Sequence, residues 1–561
     1  MPVAGRGLLP ALAHNFLGSA PRWYKLAIAG ALVGNPLLCA VAGPVVTAWA
    51  LVAEFVLTLA LALTCHPLPP AGLLAIEAVV LGLTSPQAVY AEVRANLATL
   101  LLIVFMVAGV YFLRDALLVA FTRLFVAARH KLALSLAFVT AAALLSAFLD
   151  ALTVIAVISA VAVGLYEVDR LAVSQRAPGP PHDHTPDRPD ARDTADTADT
   201  RDTADTADTR DTAHTADTPA RRRASDVTSR VSADTPDTPA RQEARDTPTT
   251  PARQDLAQFR AVLRNLVMHA AVGTTLGGLT TLVGEPQNLL IGGVAGWDFA
   301  EFFRRLAPVS LPVLVVGLLT TVLLETTGWF GYGAQLPATT RRVLEEWLRD
   351  RSRQRDAAAR ARLVAQSLVG VFLVAALAFH VAEAGLIGLA VIVLATALTG
   401  VVDERAIGRA FQDALPFAGL LVVFFAIVAM IDQQGLVTPI IDVVLGWTGV
   451  AQAVTLFAAA GLLSMVSDNV FVASAYINQL AAAFQAGAIT RPQLDSLAVV
   501  ISAGTNIPSL ATPNGQAALL FLLTSPLAGL IRLDYLTMLK LALPYALTLT
   551  ATGLTAVALL A

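Results

Sequence analysis

Cysteine is scarce in this chain: Cys39 and Cys65 are the two among 561 residues. Both sit in apolar runs, with no CxxC pair and no Cys/His cluster at metal-ligand spacing, which excludes a disulfide scaffold and a zinc site. Charge is scarce too. Asp, Glu, Lys and Arg make up 14% of the chain, against about 25% in a typical soluble domain. The formal net charge of -3 carries no basic excess of the kind that binds nucleic acid. The first residues, MPVAGRGLLPALAHNFLGSAPRWYK, lack a compact apolar stretch followed by a small-residue cleavage site. They read as a retained segment at the membrane interface, with Trp23 and Tyr24 at headgroup level. The G-x-G-D signature of intramembrane aspartyl proteases is also missing, which argues against proteolysis by paired membrane acids.

What is abundant is apolar sequence, 56% of the residues, with a mean hydropathy of +0.67. The chain therefore reads as an all-α polytopic membrane protein. With about 20 apolar residues needed to cross the hydrocarbon core, spans are expected near 25–44, 46–66, 71–86 and 97–113. More follow near 262–294, 306–326, 364–384, 386–402, 413–431, 493–528 and 536–560. Two segments, 132–166 and 450–484, read as re-entrant hairpins. Short basic loops carrying Arg114, Arg123, Arg129 and Lys131, and the stretch from Arg341 to Arg362, are expected on the cytoplasmic side. No Lys or Arg occurs between Arg409 and Arg491, so the second hairpin is expected to open outward. On this reading the N-terminus and 167–256 are cytoplasmic and the C-terminus is periplasmic.

Between the first hairpin and the next span, DTADTADTR at 193–201 recurs at 202–210 and decays through DTAHTADTPARRR. Residues 172–254 have almost no large apolar side chains to offset the entropy of folding, and are expected to be a disordered cytoplasmic insert, an expanded repeat tolerated in a loop.

The rest is duplicated. LLSAFLDALTV at 144–154 aligns without gaps to LLSMVSDNVFV at 462–472, matching Asp150 to Asp468. Downstream of each comes a Gly/Thr/Pro-rich break, GTTLGGLTTLVGEPQN at 273–288 and GTNIPSLATPNGQ at 504–516, and then a span running from Pro to Gly. The expected fold is two inverted repeats, each with five spanning helices, one of them broken, and a re-entrant hairpin, plus an extra N-terminal helix. The boundaries are 1–45 for the N-terminal segment and first helix, 46–328 for the first repeat, 329–363 for a cytoplasmic linker and 364–561 for the second repeat. Broken helices at corresponding positions of inverted repeats point to a transport site near the bilayer midplane, since non-helical backbone at that depth must be satisfied by protein or a water-filled cavity.

Oxygen-rich hairpin tips and breaks suit a hard cation, and a buried carboxylate can hold either a proton or Na⁺. Asp150, Asp468 and Glu285 are the candidate proton/cation coupling groups. Supporting ligands in the first half are Ser146, Thr153, Thr274, Thr275, Gln287 and Asn288. Those in the second are Ser464, Ser467, Asn469, Thr505, Asn506, Thr512 and Asn514. Each tip acid has an alternative role as a helix cap, and Glu285 could cap or pair structurally. Glu54 and Glu77 read as buried polar partners in a scaffold and Asp432 as solvated. His269 is a candidate for a response to pH, with an ordinary buried histidine as the alternative.

The motifs NFLGSAPRWYKLA, LLAIEAV, FMVAGVYF, LLSAFLDALTV, VGEPQNL, GWFGYG, LTGVVDE, SDNVFV and LATPNGQAALLFLLTSPLAGLIRL, in this order, resemble the bacterial NhaB sodium/proton antiporter family, within a wider superfamily of inverted-repeat carriers. The resemblance covers essentially everything except the insert, which is longer than the family's usual one. It implies electrogenic exchange of Na⁺, and Li⁺, for H⁺ across the bacterial inner membrane, with Na⁺ and H⁺ as substrates and no cofactor. It also implies a mobile transport unit moving against a scaffold, membrane lipid around it, and a homodimer. The rival is a sodium-coupled dicarboxylate carrier of the same superfamily, with an arsenite-type permease as a further relative. The acids at both tips would repel an anionic substrate.

Overall fold

Residue patterning explains where each helix begins. Asp298, Asp356, Thr490 and Asp534 each accept a hydrogen bond from the backbone N–H three residues on, and Ser85 does so ahead of Pro86. Left-handed glycines at 296, 328 and 400 end three helices. The computed structural model describes residues 8–62, 64–128, 130–149, 151–176, 250–379, 381–412 and 414–561. Asp150 and most of the repetitive insert, 177–249, lie outside the described residues. Those that are described form helices and turns, with no strand among them.

The chain begins with α1 (Leu8–Asn15), α2 (Arg22–Ala42), α3 (Pro44–Ala60) and α4 (Leu68–Val80). α5 (Pro86–Ala95) and α6 (Leu97–Tyr111) follow, bent by 59° at Asn96. Next are α7 (Arg114–Ala127) and the first hairpin, α8 (Lys131–Ser146) with α9 (Ala151–Arg176). α10 (Thr250–Gly278) and α11 (Pro286–Ala295) are two pieces of one broken helix, and α12 (Phe299–Thr327) closes the first half, with Pro308 and Pro312 inside it. α13 (Ala338–Arg353) lies in the linker between the halves, and α14 (Ala357–Ala378), α15 (Ala384–Thr399), α16 (Glu404–Gln412), α17 (Ala414–Gln434) and α18 (Thr438–Leu445) follow. The second hairpin is α19 (Gly449–Ser464) with α20 (Asn469–Gln485). The second broken helix is α21 (Arg491–Asn506), a single 3-10 turn at Pro508–Ala511, and α22 (Ala517–Thr524). The chain ends with α23 (Pro526–Leu530) and α24 (Tyr535–Leu560).

Among the described residues, seven helices are long and apolar enough to cross a membrane, or eight if the bent α5–α6 pair is one span. Both helix–break–helix elements and both broken helices appear where the sequence places them. The basic stretch after Arg114 differs: it was expected to be a loop and forms α7. Its Leu117, Phe121 and Phe125, one turn apart, pack into the core, so the arginines ride the outer face of an amphipathic helix. The ends of the insert differ too, because α9 continues to Arg176 and α10 begins at Thr250.

Met1–Ala172 and Thr250–Ala561 form one compact unit. Inside it the two halves repeat the same contacts. α8 packs on α10 and α19 on α21. A Cβ on Gly273 would meet the Val139 carbonyl oxygen at 2.5 Å and Ala142 Cβ at 3.0 Å; one on Gly504 would meet the Phe457 carbonyl oxygen and Ala460 Cβ, each at 3.1 Å. The Thr281 hydroxyl donates to the Ala147 carbonyl, and the Thr512 hydroxyl donates to the Met465 carbonyl. A Cβ on Gly317 would lie 2.6 Å from Leu276, and one on Gly553 would lie 2.6 Å from Ile507. Within the hairpins and within the breaks these pairs keep a constant register between the two halves, so the duplication extends from sequence to packing.

Glu54, Glu77 and Asp432 each have partners. Asn35 Nδ2 donates to Glu54 at 2.8 Å and to Glu77 at 3.0 Å, tying α2 to α3 and α4. Asp432, expected to be solvated, is half-buried and accepts from Gln479 at 2.9 Å and Asn478 at 3.3 Å. The end of α17 faces α20 instead of solvent, and that contact explains the difference.

Candidate functional site

Four helix N-termini meet at one small cavity. Its lining includes Ala151 at the start of α9, Glu285 to Gln287 at the start of α11, Asp468 to Val470 at the start of α20, and Gly515 to Ala517 at the start of α22. Its free volume is about 10 Å³, roughly one water-sized sphere. Each N-terminus brings the positive end of a helix dipole and first-turn N–H groups that have no acceptor within their own helix. Such a convergence holds negative charge, and here the chain supplies the charge itself through Asp468 and Glu285.

Asp468 has two roles at this position. Its Oδ1 accepts from the Val470 N–H at 2.8 Å, capping α20, while the residue also lines the cavity. Glu285 is the N-cap residue of α11, is 3% exposed, and fits against Gly278, where a Cβ would sit 2.8 Å from its Cγ. Asp150 lies outside the described residues.

The approach of the broken helices depends on missing side chains. A Cβ on Gly284 would lie 2.6 Å from the Gly278 oxygen and 2.8 Å from the Ser146 oxygen. A Cβ on Gly515 would collide with the Ser464 oxygen and lie 2.6 Å from the Ser509 oxygen. In each half, then, glycine lets a break rest on the carbonyl of the serine that ends the first helix of its hairpin.

Buried amides cross-link the two breaks. Gln287 Nε2 donates to Asn506 Oδ1 at 2.7 Å, and Gln516 Nε2 donates to Thr275 Oγ1 at 2.8 Å. Asn506 Nδ2 and Ser502 Oγ both donate to Asn288 Oδ1, at 3.1 and 3.2 Å. Asn288 Nδ2 in turn holds the carbonyls of Gly278 at 2.8 Å and Thr281 at 2.9 Å, oxygens freed by the break. With its amide nitrogen facing the acceptors, Asn469 donates to the carbonyls of Gly515 at 2.9 Å and Thr505 at 3.0 Å.

The sequence-predicted residues fall into several groups. Glu285, Gln287, Asp468 and Asn469 line the cavity. Thr275, Asn288, Asn506 and Thr512 belong to the amide network or to the Thr latches beside it. Thr274 and Thr505 instead donate to carbonyls of their own helices, Ala271 at 2.7 Å and Ile501 at 2.8 Å. Ser146, Ser467 and Thr153 have buried hydroxyls with no hydrogen-bond partner, and so does Asn514 Oδ1, whose amide nitrogen donates to Ala60. Ser464 is buried, and its carbonyl faces Gly515. His269 does not line this cavity; it lies in a separate cluster with Glu325 and Tyr545.

Sequence reasoning missed Gln516. The signal was present, because 516 stands to 504 as 285 stands to 273, which makes Gln516 the counterpart of Glu285. The duplicated site therefore carries a carboxylate at one break and a neutral amide at the other.

A protein-family model described as "Bacterial Na+/H+ antiporter B (NhaB)" matches residues 6–200 and 226–561. Curated relatives match nearly the whole chain. A protein named Na(+)/H(+) antiporter NhaB from Saccharophagus degradans is 50% identical over 546 residues, covering 97% of this chain and 98% of its own. Its namesakes from Klebsiella pneumoniae and Pseudomonas aeruginosa are each 52% identical across 97% of this chain and 94% and 98% of theirs.

Proposed function

The chain belongs to the bacterial Na+/H+ antiporter B family, and from that premise we propose that it exchanges Na⁺ for H⁺ at the four-terminus cavity, with Asp468, Glu285 and Asp150 as the coupling groups. The single observation that carries this reading is the convergence of four helix N-termini on a cavity whose charged lining is carboxylate. A carrier for an anion would leave those N-termini open to its substrate. Here carboxylates of the chain stand in that place, and a small cation or a proton neutralises them in turn. Competition for the same oxygens couples the two fluxes: a protonated carboxylate cannot hold Na⁺, and a Na⁺-bound one does not take up a proton.

The neutral oxygens around the acids suit Na⁺ and Li⁺, which need few ligands at short range. The buried, unpartnered hydroxyls of Ser146, Ser467 and Thr153 are candidates to turn toward a bound ion. The protein sits in the bacterial inner membrane as a homodimer surrounded by lipid, with its two halves inverted. Its N-terminus and insert are cytoplasmic and its C-terminus periplasmic. Exchange is electrogenic.

The test uses acid-loaded proteoliposomes. Proton efflux should follow external Na⁺ or Li⁺ and not K⁺, and clamping the membrane potential should change its initial rate. Efflux that responds only to a dicarboxylate would overturn the assignment of substrate. Removing residues 177–249, which stop short of both flanking helices, should leave the Na⁺-driven rate within about twofold of the full chain, as expected for a segment without the apolar content to fold. A deletion variant that inserts normally and exchanges nothing would assign the insert a role in transport.

A further inference from the structure

A second polar cluster lies apart from the cation cavity, among α8, α10 and α12 of the first half and α24 of the second. His269 on α10 is fully buried, with Nε2 2.8 Å from Glu325 Oε1 on α12 and Nδ1 2.8 Å from the Tyr545 hydroxyl on α24. Ser135 on α8 donates to the same Glu325 oxygen at 3.1 Å. The Tyr545 hydroxyl also lies 2.8 Å from Thr321 Oγ1, which is 3.0 Å from the Gly317 carbonyl. Tyr332 stacks on the imidazole, ring centroids 4.7 Å apart, and donates its own proton to the Leu541 carbonyl at 2.9 Å.

Hydrogen counting shows what this chain of groups can hold. In one arrangement Thr321 donates to Gly317, Tyr545 donates to Thr321, and both imidazole N–H groups donate, to Tyr545 and to the Glu325 carboxylate. That is a histidinium–carboxylate pair. In the other, Thr321 donates to Tyr545, Tyr545 donates to Nδ1, and the neutral imidazole keeps its single N–H on Glu325. The two arrangements differ by one proton and the rotation of two hydroxyls, and each leaves the ring nitrogens satisfied. A purely structural histidine needs only one of them.

There is also a way in. Glu325 lines a cavity of about 650 Å³, together with Ser135, Lys131 and Asn265. Its Oε2 is buried and has no hydrogen-bond partner in the protein. The other charged groups on that wall are Lys131, whose ammonium donates to the Gly333 carbonyl at 3.2 Å, and Arg341, Arg342 and Glu345 on α13, with His130 at the start of α8.

We propose that His269 and Glu325 form a second proton-binding site of the exchanger, loaded through this cavity. α10 carries both His269 and, at its end, the break that leads to Glu285, so a change of charge on the pair acts on the helix that frames the cation cavity. This rests on Na⁺/H⁺ exchange being the protein's activity, and its test separates the two ideas.

Purified wild type, His269→Gln, Glu325→Gln and Tyr545→Phe are compared by potentiometric titration and by Na⁺-driven H⁺ flux as a function of pH. Wild type should take up about one proton more than His269→Gln or Glu325→Gln between mildly alkaline and mildly acid solution. The flux–pH profile of both variants should move by about one pH unit or more, a tenfold change in proton affinity. Tyr545→Phe deletes one oxygen and keeps the ring, so it decides the matter if the other two fail to accumulate: its profile should also move. Superimposable profiles and equal proton uptake would overturn the proposal and leave the cation cavity untouched. A wild-type protein that moves no protons with Na⁺ would instead sink the exchange reading itself.

Discussion

Asp468→Asn should reduce Na⁺-driven proton flux by at least about 100-fold while the protein inserts, purifies and unfolds like wild type. The contrast follows from the two roles that geometry gives this residue. As the N-cap of α20, its Oδ1 accepts from the Val470 N–H at 2.8 Å. Asparagine caps a helix about as well as aspartate, because its side-chain oxygen accepts the same bond. As part of the cavity lining, however, Asp468 supplies charge and a titratable proton, and asparagine supplies neither. A loss of more than about 2.7 kcal/mol in transition-state terms corresponds to the 100-fold figure, and nothing in the amide network compensates for a missing carboxylate. Asp468→Ala completes the comparison. It should lose flux and also stability, by about 1 kcal/mol for the vanished cap. If Asp468→Asn exchanges normally and only the Ala variant fails, the residue is a cap and nothing more, and the coupling role passes to Glu285 and Asp150.

The same residue shows how far sequence reading reached. Asp468 was visible because an acid in an apolar run, matched without gaps to a second acid, has few structural explanations. The breaks were visible because Gly and Pro disrupt helices whatever surrounds them. Which side chains face the cavity was not visible, because that depends on how two distant segments meet. Thr274 and Thr275 are adjacent in sequence; both donate to the Ala271 carbonyl of their own helix, but the second alone also accepts from Gln516 across the halves. The partner of His269 was hidden for the same reason: Glu325 lies near the C-terminal end of α12, where an acid is unremarkable until α10 and α12 bring the two within 2.8 Å. The arginines of α7 give a loop signal in the sequence, although its apolar residues recur at a helical interval.

Gly277→Ala should have the largest effect of any single-methyl change, abolishing exchange because the protein no longer packs. A Cβ at 277 would fall on the backbone carbonyl of Ala143 in α8. Overpacking normally costs about 1 to 3 kcal/mol, because side chains can rotate away. A carbonyl locked in its own helix cannot, so the cost here should reach about 3 kcal/mol or more, and the hairpin must separate from the broken helix to relieve it. The control lies a few residues on. Gly293 in α11 has nothing within 4 Å of its would-be Cβ, and Gly293→Ala should stabilise the protein by about 0.5 to 1 kcal/mol through helix propensity alone. The second half makes the complementary prediction, since there the partners are exchanged: Gly461 lies on the hairpin and Pro508 on the broken helix, with the Pro508 ring 2.7 Å from where a Cβ at 461 would be. Gly461→Ala should therefore also destabilise the protein, by less than Gly277→Ala because its Cβ meets a proline ring and not a backbone carbonyl. Thermal unfolding of the three purified variants decides it. If Gly277→Ala and Gly461→Ala unfold at the wild-type temperature, α8 and α10, and α19 and α21, do not pack as closely as described, and the shared architecture of the two halves loses its physical basis.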